Sequence, residues 1–191
     1  MKQALRTALV QIRNEMSSRE VQEKSSDIQK KVLSLSAFQQ ATTIGCYFPY
    51  GNEVRTHSII QQSLKQEKTI GLPACHPTEN IFSMYAISSL SDVRVGKHDI
   101  MEPQPKKEKF LDPQILDVII VPGVGFDKQG NRLGHGRAYY DNFLPQTPAI
   151  KIGLCYNFQL VKSIPVESHD ITMEYVITED EIIYCNKKAY K

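Results

Sequence analysis

The run Val118-Ile119-Ile120-Val121, closed by Pro122, constrains the fold of this chain more than any other segment. Four consecutive β-branched residues suit extended backbone, and with nothing polar on either face the strand must be covered on both sides. It therefore predicts a central strand with packing layers above and below. Around it the sequence alternates strand-length apolar runs with helical stripes. Leu5, Leu9, Ile12 and Met16 recur at helical spacing, and Ser17-Ser18-Arg19-Glu20 has the pattern of a capping box ahead of a second stripe, Val21, Ile28, Val32 and Leu35. Ile44-Gly45-Cys46-Tyr47-Phe48 reads as a buried strand ended by Pro49, and Thr56 as the cap of a helix carrying Ile59, Ile60 and Leu64. A strand is predicted over Thr69-Ile70-Gly71-Leu72, stopped at Pro73, and another over residues 81–86. Residues 96–113 hold Pro103, Pro105, Pro113 and the charge run Lys106-Lys107-Glu108-Lys109, which predicts an irregular surface connection. Residues 150–155 repeat the buried-strand theme, and Tyr175-Val176-Ile177-Thr178 with Ile182-Ile183-Tyr184 predicts a last strand or hairpin. This alternation predicts an α/β fold: one domain over residues 1–191, a three-layer sandwich about a largely parallel or mixed sheet, Rossmann-like in arrangement.

Charge narrows the partners. Lys and Arg total 23 against 21 acidic residues, a net +2, so electrostatics predict neither a nucleic-acid nor a membrane surface, and any anion site has to be local. The early charges of Lys2 and Arg6 are not followed by an apolar targeting core, and no apolar stretch reaches spanning length, so a soluble cytoplasmic protein is expected. Cys46, Cys75, Cys155 and Cys185 are scattered without metal-ligand spacing and read as small hydrophobes in a reducing compartment.

Directly after the central strand comes the segment that carries chemistry, from Pro122-Gly123-Val124-Gly125-Phe126-Asp127 through Gly130-Asn131-Arg132-Leu133-Gly134-His135-Gly136-Arg137-Ala138 to Tyr139-Tyr140-Asp141. The crevice beyond a strand's carboxyl end is where open α/β sheets bind ligands. The glycines let backbone N–H groups approach an anion, Arg132 and Arg137 add fixed charge, and a helix starting near Gly136 would aim its first amides at the same place. Neither standard nucleotide signature fits: Asn131-Arg132 stands where a P-loop needs Lys-Ser/Thr, and Tyr139 where a dinucleotide fold needs glycine. From the residues alone, a phosphate cradle and an ordinary glycine-rich turn with solvent-facing arginines are equally admissible.

The order Pro-Gly-Val-x-Phe-Asp, Gly-Asn-Arg-Leu-Gly-x-Gly, Tyr-Tyr-Asp resembles the signature of the 5-formyltetrahydrofolate cyclo-ligase family, also called methenyltetrahydrofolate synthetases. Lys2 and Arg6, Glu53-Val54-Arg55-Thr56, Ile164-Pro165-Val166 and His169-Asp170 agree at the right distances, so the resemblance spans the chain. It implies a single α/β domain that converts 5-formyltetrahydrofolate to 5,10-methenyltetrahydrofolate with ATP and Mg²⁺. By this resemblance Lys2, Arg6 and the loop Arg132, Leu133, Gly134, His135, Gly136, Arg137, Ala138, Tyr139 and Tyr140 bind ATP. Phe48, Glu53, His135 and Tyr139 meet the folate, Asp141 and Asp170 bind the metal, and Arg132, Tyr139 and Tyr140 serve catalysis. Adjacent tyrosines diverge on a helix, so one hydroxyl is expected near the reacting groups and the other ring in the core. A monomer working on small molecules is expected.

Ala138 departs from the family's usual glycine, and its β-carbon is costly if the backbone there needs a positive φ. That departure leaves open a paralogue acting on another folate-like or formylated compound. A binding module without turnover is the remaining alternative.

Overall fold

The computed structural model describes residues 2–76, 78–96, 100–167 and 170–185; His169, part of the resemblance, lies outside them. The chain opens with helices α1 (Lys2–Glu15), α2 (Ser18–Ser34) and α3 (Ser36–Gln40), then strand β1 (Thr43–Gly45), α4 (His57–Lys65), β2 (Thr69–Cys75) and β3 (Phe82–Ile87). Short strands β4 (Val93–Val95), β5 (Met101–Pro103) and β6 (Phe110–Leu111) precede β7 (Val118–Pro122). Beyond it lie β8 (Gly125–Asp127), β9 (Arg132–Leu133), α5 (Tyr139–Phe143), β10 (Ile150–Leu154), β11 (Leu160–Val161), β12 (Tyr175–Ile177) and β13 (Ile182–Tyr184).

Eight strands form one mixed sheet in the order β13-β12-β10-β7-β1-β2-β3-β6. The five from β12 to β2 are parallel, and β13, β3 and β6 close the two sides antiparallel. β7 sits in the middle, as its sequence predicts, and its side chains alternate between two cores. Val118 and Ile120 join Ile28, Val32, Ile59 and Ile60 under α2 and α4. Ile119 and Val121 face the opposite core, with Phe126, Phe143 and Leu144. The second covering layer is thin, built from α5 and the β8 strand rather than from long helices. The three-layer expectation holds, with unequal layers.

The Ser17 capping box forms, its hydroxyl accepting from Glu20 N while the Glu20 carboxylate accepts from Ser17 N. Four expectations need correction. Ile12 is 47% exposed while Arg13 is 6% exposed, so the inner face of α1 runs through Leu9 and Arg13. Thr56 precedes α4 but makes no side-chain cap; its hydroxyl donates to Tyr47 O at 2.8 Å. β2 runs through Pro73 to Cys75, because β1 pairs it only as far as Gly71 and a residue without an N–H is tolerated where one side of a strand is open. Residues 96–113 are not wholly irregular: β5 pairs with β4 in a small hairpin, and β6 edges the main sheet.

Candidate active site

β1, β2 and β7 are parallel neighbours, so their carboxyl ends open on one edge of the sheet. The chain proceeds from β1 to β2 on one side and later returns to lay β7 on the other, which splits the loops apart above β1 and leaves a crevice there. A cavity of about 460 Å³ occupies it, walled by Tyr47 and Phe48 after β1, Pro73 and Cys75 on β2, Pro122 at the end of β7, and the segment from Gly134 to Asp141.

The glycine segment is built from below. Asp127, fully buried, accepts hydrogen bonds from Gln129 N, Asn131 N, Asn131 Nδ2 and Ile164 N, all within 3.0 Å. It fixes the turn that brings the chain back as β9 beside β8. Arg132 then lies beneath the loop: a β-carbon on Gly134 would stand 2.8 Å from its guanidinium, so only glycine lets backbone and cation approach this closely. The same guanidinium pairs with Asp141 at 2.5 Å and lies 5.6 Å from the Tyr140 ring centroid. From α1, Arg6 donates to Gly134 O at 2.8 Å, anchoring the loop to the first helix. Gly136 has φ +86 and Ala138 has φ 55, so the loop needs a left-handed backbone at the alanine. The condition under which its β-carbon is costly is met, and α5 starts only at Tyr139.

The opposite wall carries a carboxylate. Glu53 ends a turn in which its Oε2 accepts from Tyr50 N at 3.0 Å, while Asn52 clips the turn to Arg13 O in the first helix and to Met16 O just past its end. Its Oε1 lies 3.4 Å from His135 Nε2 and 3.8 Å from Arg13. Phe48 lines the same wall, edge-on to His57 at 5.0 Å.

Buried polar atoms without a hydrogen-bond partner mark what this cavity lacks. Among the described residues there are five such side-chain atoms, and four belong to cavity residues: Arg13 Nε, Glu102 Oε1, Tyr139 Oη and Tyr140 Oη. An orphaned buried donor or acceptor costs about 1–3 kcal/mol, so four of them on residues that line one cavity set this region apart from the rest of the described structure. Both tyrosines line the cavity and also pack against the core, Tyr140 on Phe82 at 5.0 Å, so ring packing is not confined to one of them. Burial pushes the Tyr140 phenol well above its usual range, Cys46 and Glu53 add to the rise, and Arg132 opposes it.

The remaining predicted residues divide. Leu133 is core, 2% exposed among Leu9, Val124 and Ile164, so only its backbone is at the loop. Lys2 stands outside the cavity wall and pairs with Glu167 at 3.0 Å and Asp170 at 3.3 Å. Asp141 is on the wall, and Asp170 is not. Among the described residues no group of three or more His, Cys, Asp or Glu gathers as a metal cluster. The sequence reading missed Arg13, Cys75, Phe82 and Glu102 on the wall. Arg13 was legible as a charge four residues after Leu9 on one helical face, whereas Glu102 lay hidden in the proline-rich stretch.

The model of the 5-formyltetrahydrofolate cyclo-ligase family matches residues 1–179. Curated cyclo-ligases include one from Saccharomyces cerevisiae, 31% identical over 96% of this chain and 97% of its own length, and one from Haemophilus influenzae, 30% identical over 90% and 94%. The 5,10-methenyltetrahydrofolate synthetase of Aquifex aeolicus superimposes with a TM-score of 0.85 at 29% identity, covering 100% of this chain and 99% of that one. A synthetase from Mycoplasma pneumoniae gives 0.75 at 25% identity, covering 93% and 98%. A family match over residues 1–179, curated relatives at 30% and 31% identity and a shared fold, meeting on a cavity lined by the signature segment, establish that this chain belongs to the 5-formyltetrahydrofolate cyclo-ligase family.

Proposed function

We propose that this chain catalyses the ATP-dependent cyclisation of 5-formyltetrahydrofolate to 5,10-methenyltetrahydrofolate, with ADP and phosphate as the other products. The observation that carries the reading is the set of orphaned polar atoms on residues that line one cavity, among them the tyrosines that end the signature loop. The formyl oxygen is a poor leaving group. Transfer of the γ-phosphoryl group to that oxygen makes the C–O bond breakable. The second folate nitrogen attacks the activated carbon, and phosphate departs with the oxygen. Since the carbon and phosphorus chemistry is intrinsic to the reactants, the protein supplies position and charge.

In this reading the flat pteridine enters the 460 Å³ cavity between Phe48 and the tyrosines, and Glu53 accepts from its N–H groups. The Tyr139 and Tyr140 hydroxyls, unpaired in the protein, donate to the formyl or phosphoryl oxygens. Arg132, held by Asp141 under the loop, offers fixed positive charge to the transferring group, and the amides and side chains from Gly134 to Ala138 face the nucleotide. Arg6 reaches that loop through Gly134 O. Lys2 acts from outside the cavity wall, where Glu167, ahead of Asp170 in its partners' effect, raises its pKa and keeps it cationic.

Asp141 suits Mg²⁺ as a hard carboxylate on the cavity wall, and this ion is ordinarily held by one or two carboxylates together with substrate phosphates. Asp170, paired with Lys2, would join it. Bound there, Mg²⁺ supplies charge neutralisation for the phosphates. Four free thiols support a reducing cytoplasmic setting, and no helix among the described residues is long and apolar enough to cross a membrane.

The test follows the near-ultraviolet absorbance of the methenyl product with 5-formyltetrahydrofolate, ATP and Mg²⁺. Colour that requires ATP and disappears with EDTA is expected. Nucleotide binding without product would instead establish a binding module, and turnover of another formylated compound a paralogue.

A further inference from the structure

Glu102 has no place in the chemistry described so far, yet like Glu53 it lines the cavity. It stands on β5, which lies beside β2. Its Oε2 accepts from Cys75 N at 3.3 Å, near the end of β2. Gly96, across the β4–β5 hairpin, lies close beside the same carboxylate: a β-carbon at Gly96 would fall 2.6 Å from Oε2. The hydrogen bond to Cys75 N and this neighbour define the group's orientation in the structure. That orientation leaves Oε1 buried, on a cavity-lining residue and without a partner among the described residues. A carboxylate serving only to hold β5 against β2 gains nothing from a second oxygen withdrawn from water and left unpaired, since an orphaned charged acceptor is the most expensive kind. Glu53 differs, because both its oxygens already have neighbours in the protein.

We propose that Glu102 Oε1 is the acceptor for an N–H donor edge of the bound heterocycle, an amidine- or guanidine-like edge such as the 2-amino and ring N–H pair of a 2-amino-4-oxopteridine. This assignment rests on the folate reading of the cavity given above. Glu102 then recognises and orients the ring, in a cavity that Glu53 and Phe48 also line. An oxygen fixed by its sister's bond to Cys75 N and dried by its surroundings gives a donor edge a rigid partner, so it discriminates against rings lacking the donor.

The test is Glu102→Gln, which keeps the side chain's size and an oxygen for Cys75 N while removing the charge. Calorimetry with 5-formyltetrahydrofolate and, separately, ATP reads the two affinities. The expected result is folate binding weakened about ten- to a hundredfold, with ATP affinity unchanged, melting temperature level or higher, and KM for folate rising more than kcat falls. A folate analogue without the 2-amino group is expected to bind the unmodified protein more weakly, with a much smaller penalty in the variant. Unchanged folate affinity in the variant would overturn the assignment. So would a joint loss of both affinities with a lower melting temperature, the mark of a purely structural carboxylate, or failure of the unmodified protein to distinguish the analogue. If the unmodified protein neither binds nor turns over 5-formyltetrahydrofolate, the folate reading falls and this assignment with it. If it does both and the variant matches it, only Glu102's role is lost.

Discussion

The guanidinium of Arg132 and the carboxylate of Asp141 meet at 2.5 Å beneath the glycine loop, with side-chain exposures of 7% and 32%. The pair joins β9 to α5, so the residue proposed to face the transferring phosphoryl group and the residue proposed to face the metal set each other's positions. Removing the acid leaves a nearly buried cation without this partner. Asp141→Ala is therefore expected to lower kcat by about two orders of magnitude, with folate affinity changed far less and the response to added Mg²⁺ flattened. Steady-state kinetics with a Mg²⁺ titration checks this; equal losses in turnover and folate binding would count against a metal role.

The tyrosines invite a test in which stability and activity move apart. Each hydroxyl is buried without a partner in the protein, so Tyr139→Phe and Tyr140→Phe remove a desolvated polar atom instead of breaking a bond. Free-enzyme stability should hold or rise by about 1 kcal/mol for each change, while kcat falls. Urea unfolding beside the absorbance assay reads both, and lost stability in either variant would show that its hydroxyl has a structural partner.

Ala138 sits at φ 55, ψ 14 immediately before α5. A β-carbon there costs roughly 1 kcal/mol relative to glycine. Ala138→Gly is expected to raise the melting temperature by about 2 °C for a chain of this size and to leave turnover level or higher. A calorimetric scan with a rate measurement decides it, and a large fall in rate would mean that the alanine methyl contributes to the site.

Alkaline stability follows from groups that burial keeps protonated. Burial pushes the Cys46 thiol up from 9.0 to about 12 and the Cys185 thiol up to about 11, and drives the Tyr47 and Tyr140 phenols well above 10.0. For each, the unfolded chain loses its proton first as pH rises, so the native state holds more protons in the window between the two values. Stability from these groups is fully present below their unfolded pKa values and is lost as pH rises toward the folded ones. Urea midpoints measured from pH 7 to 11 are expected to be level with respect to these groups at first and to fall from about pH 9.

Local pattern determined much of this protein. Four β-branched residues without a polar face require a doubly covered strand, and β7 is the middle of the sheet with every residue from Val118 to Val121 fully buried. Ser17 and Glu20 specify a helix start through bonds spanning three residues. The signature loop, and the suspicion attached to Ala138, were legible because glycine, and its absence, report backbone φ directly. Tertiary structure alone decided what meets across the cavity. That Arg13 lies on the buried face of α1 depends on the angle at which the helix settles, and that Glu102 shares a cavity with Glu53 depends on where the β4–β5 hairpin folds against β2. Periodicity says which face of an element is apolar, but the approach of side chains far apart in sequence is set by packing, and their unpaired atoms are visible only once the surrounding walls are in place.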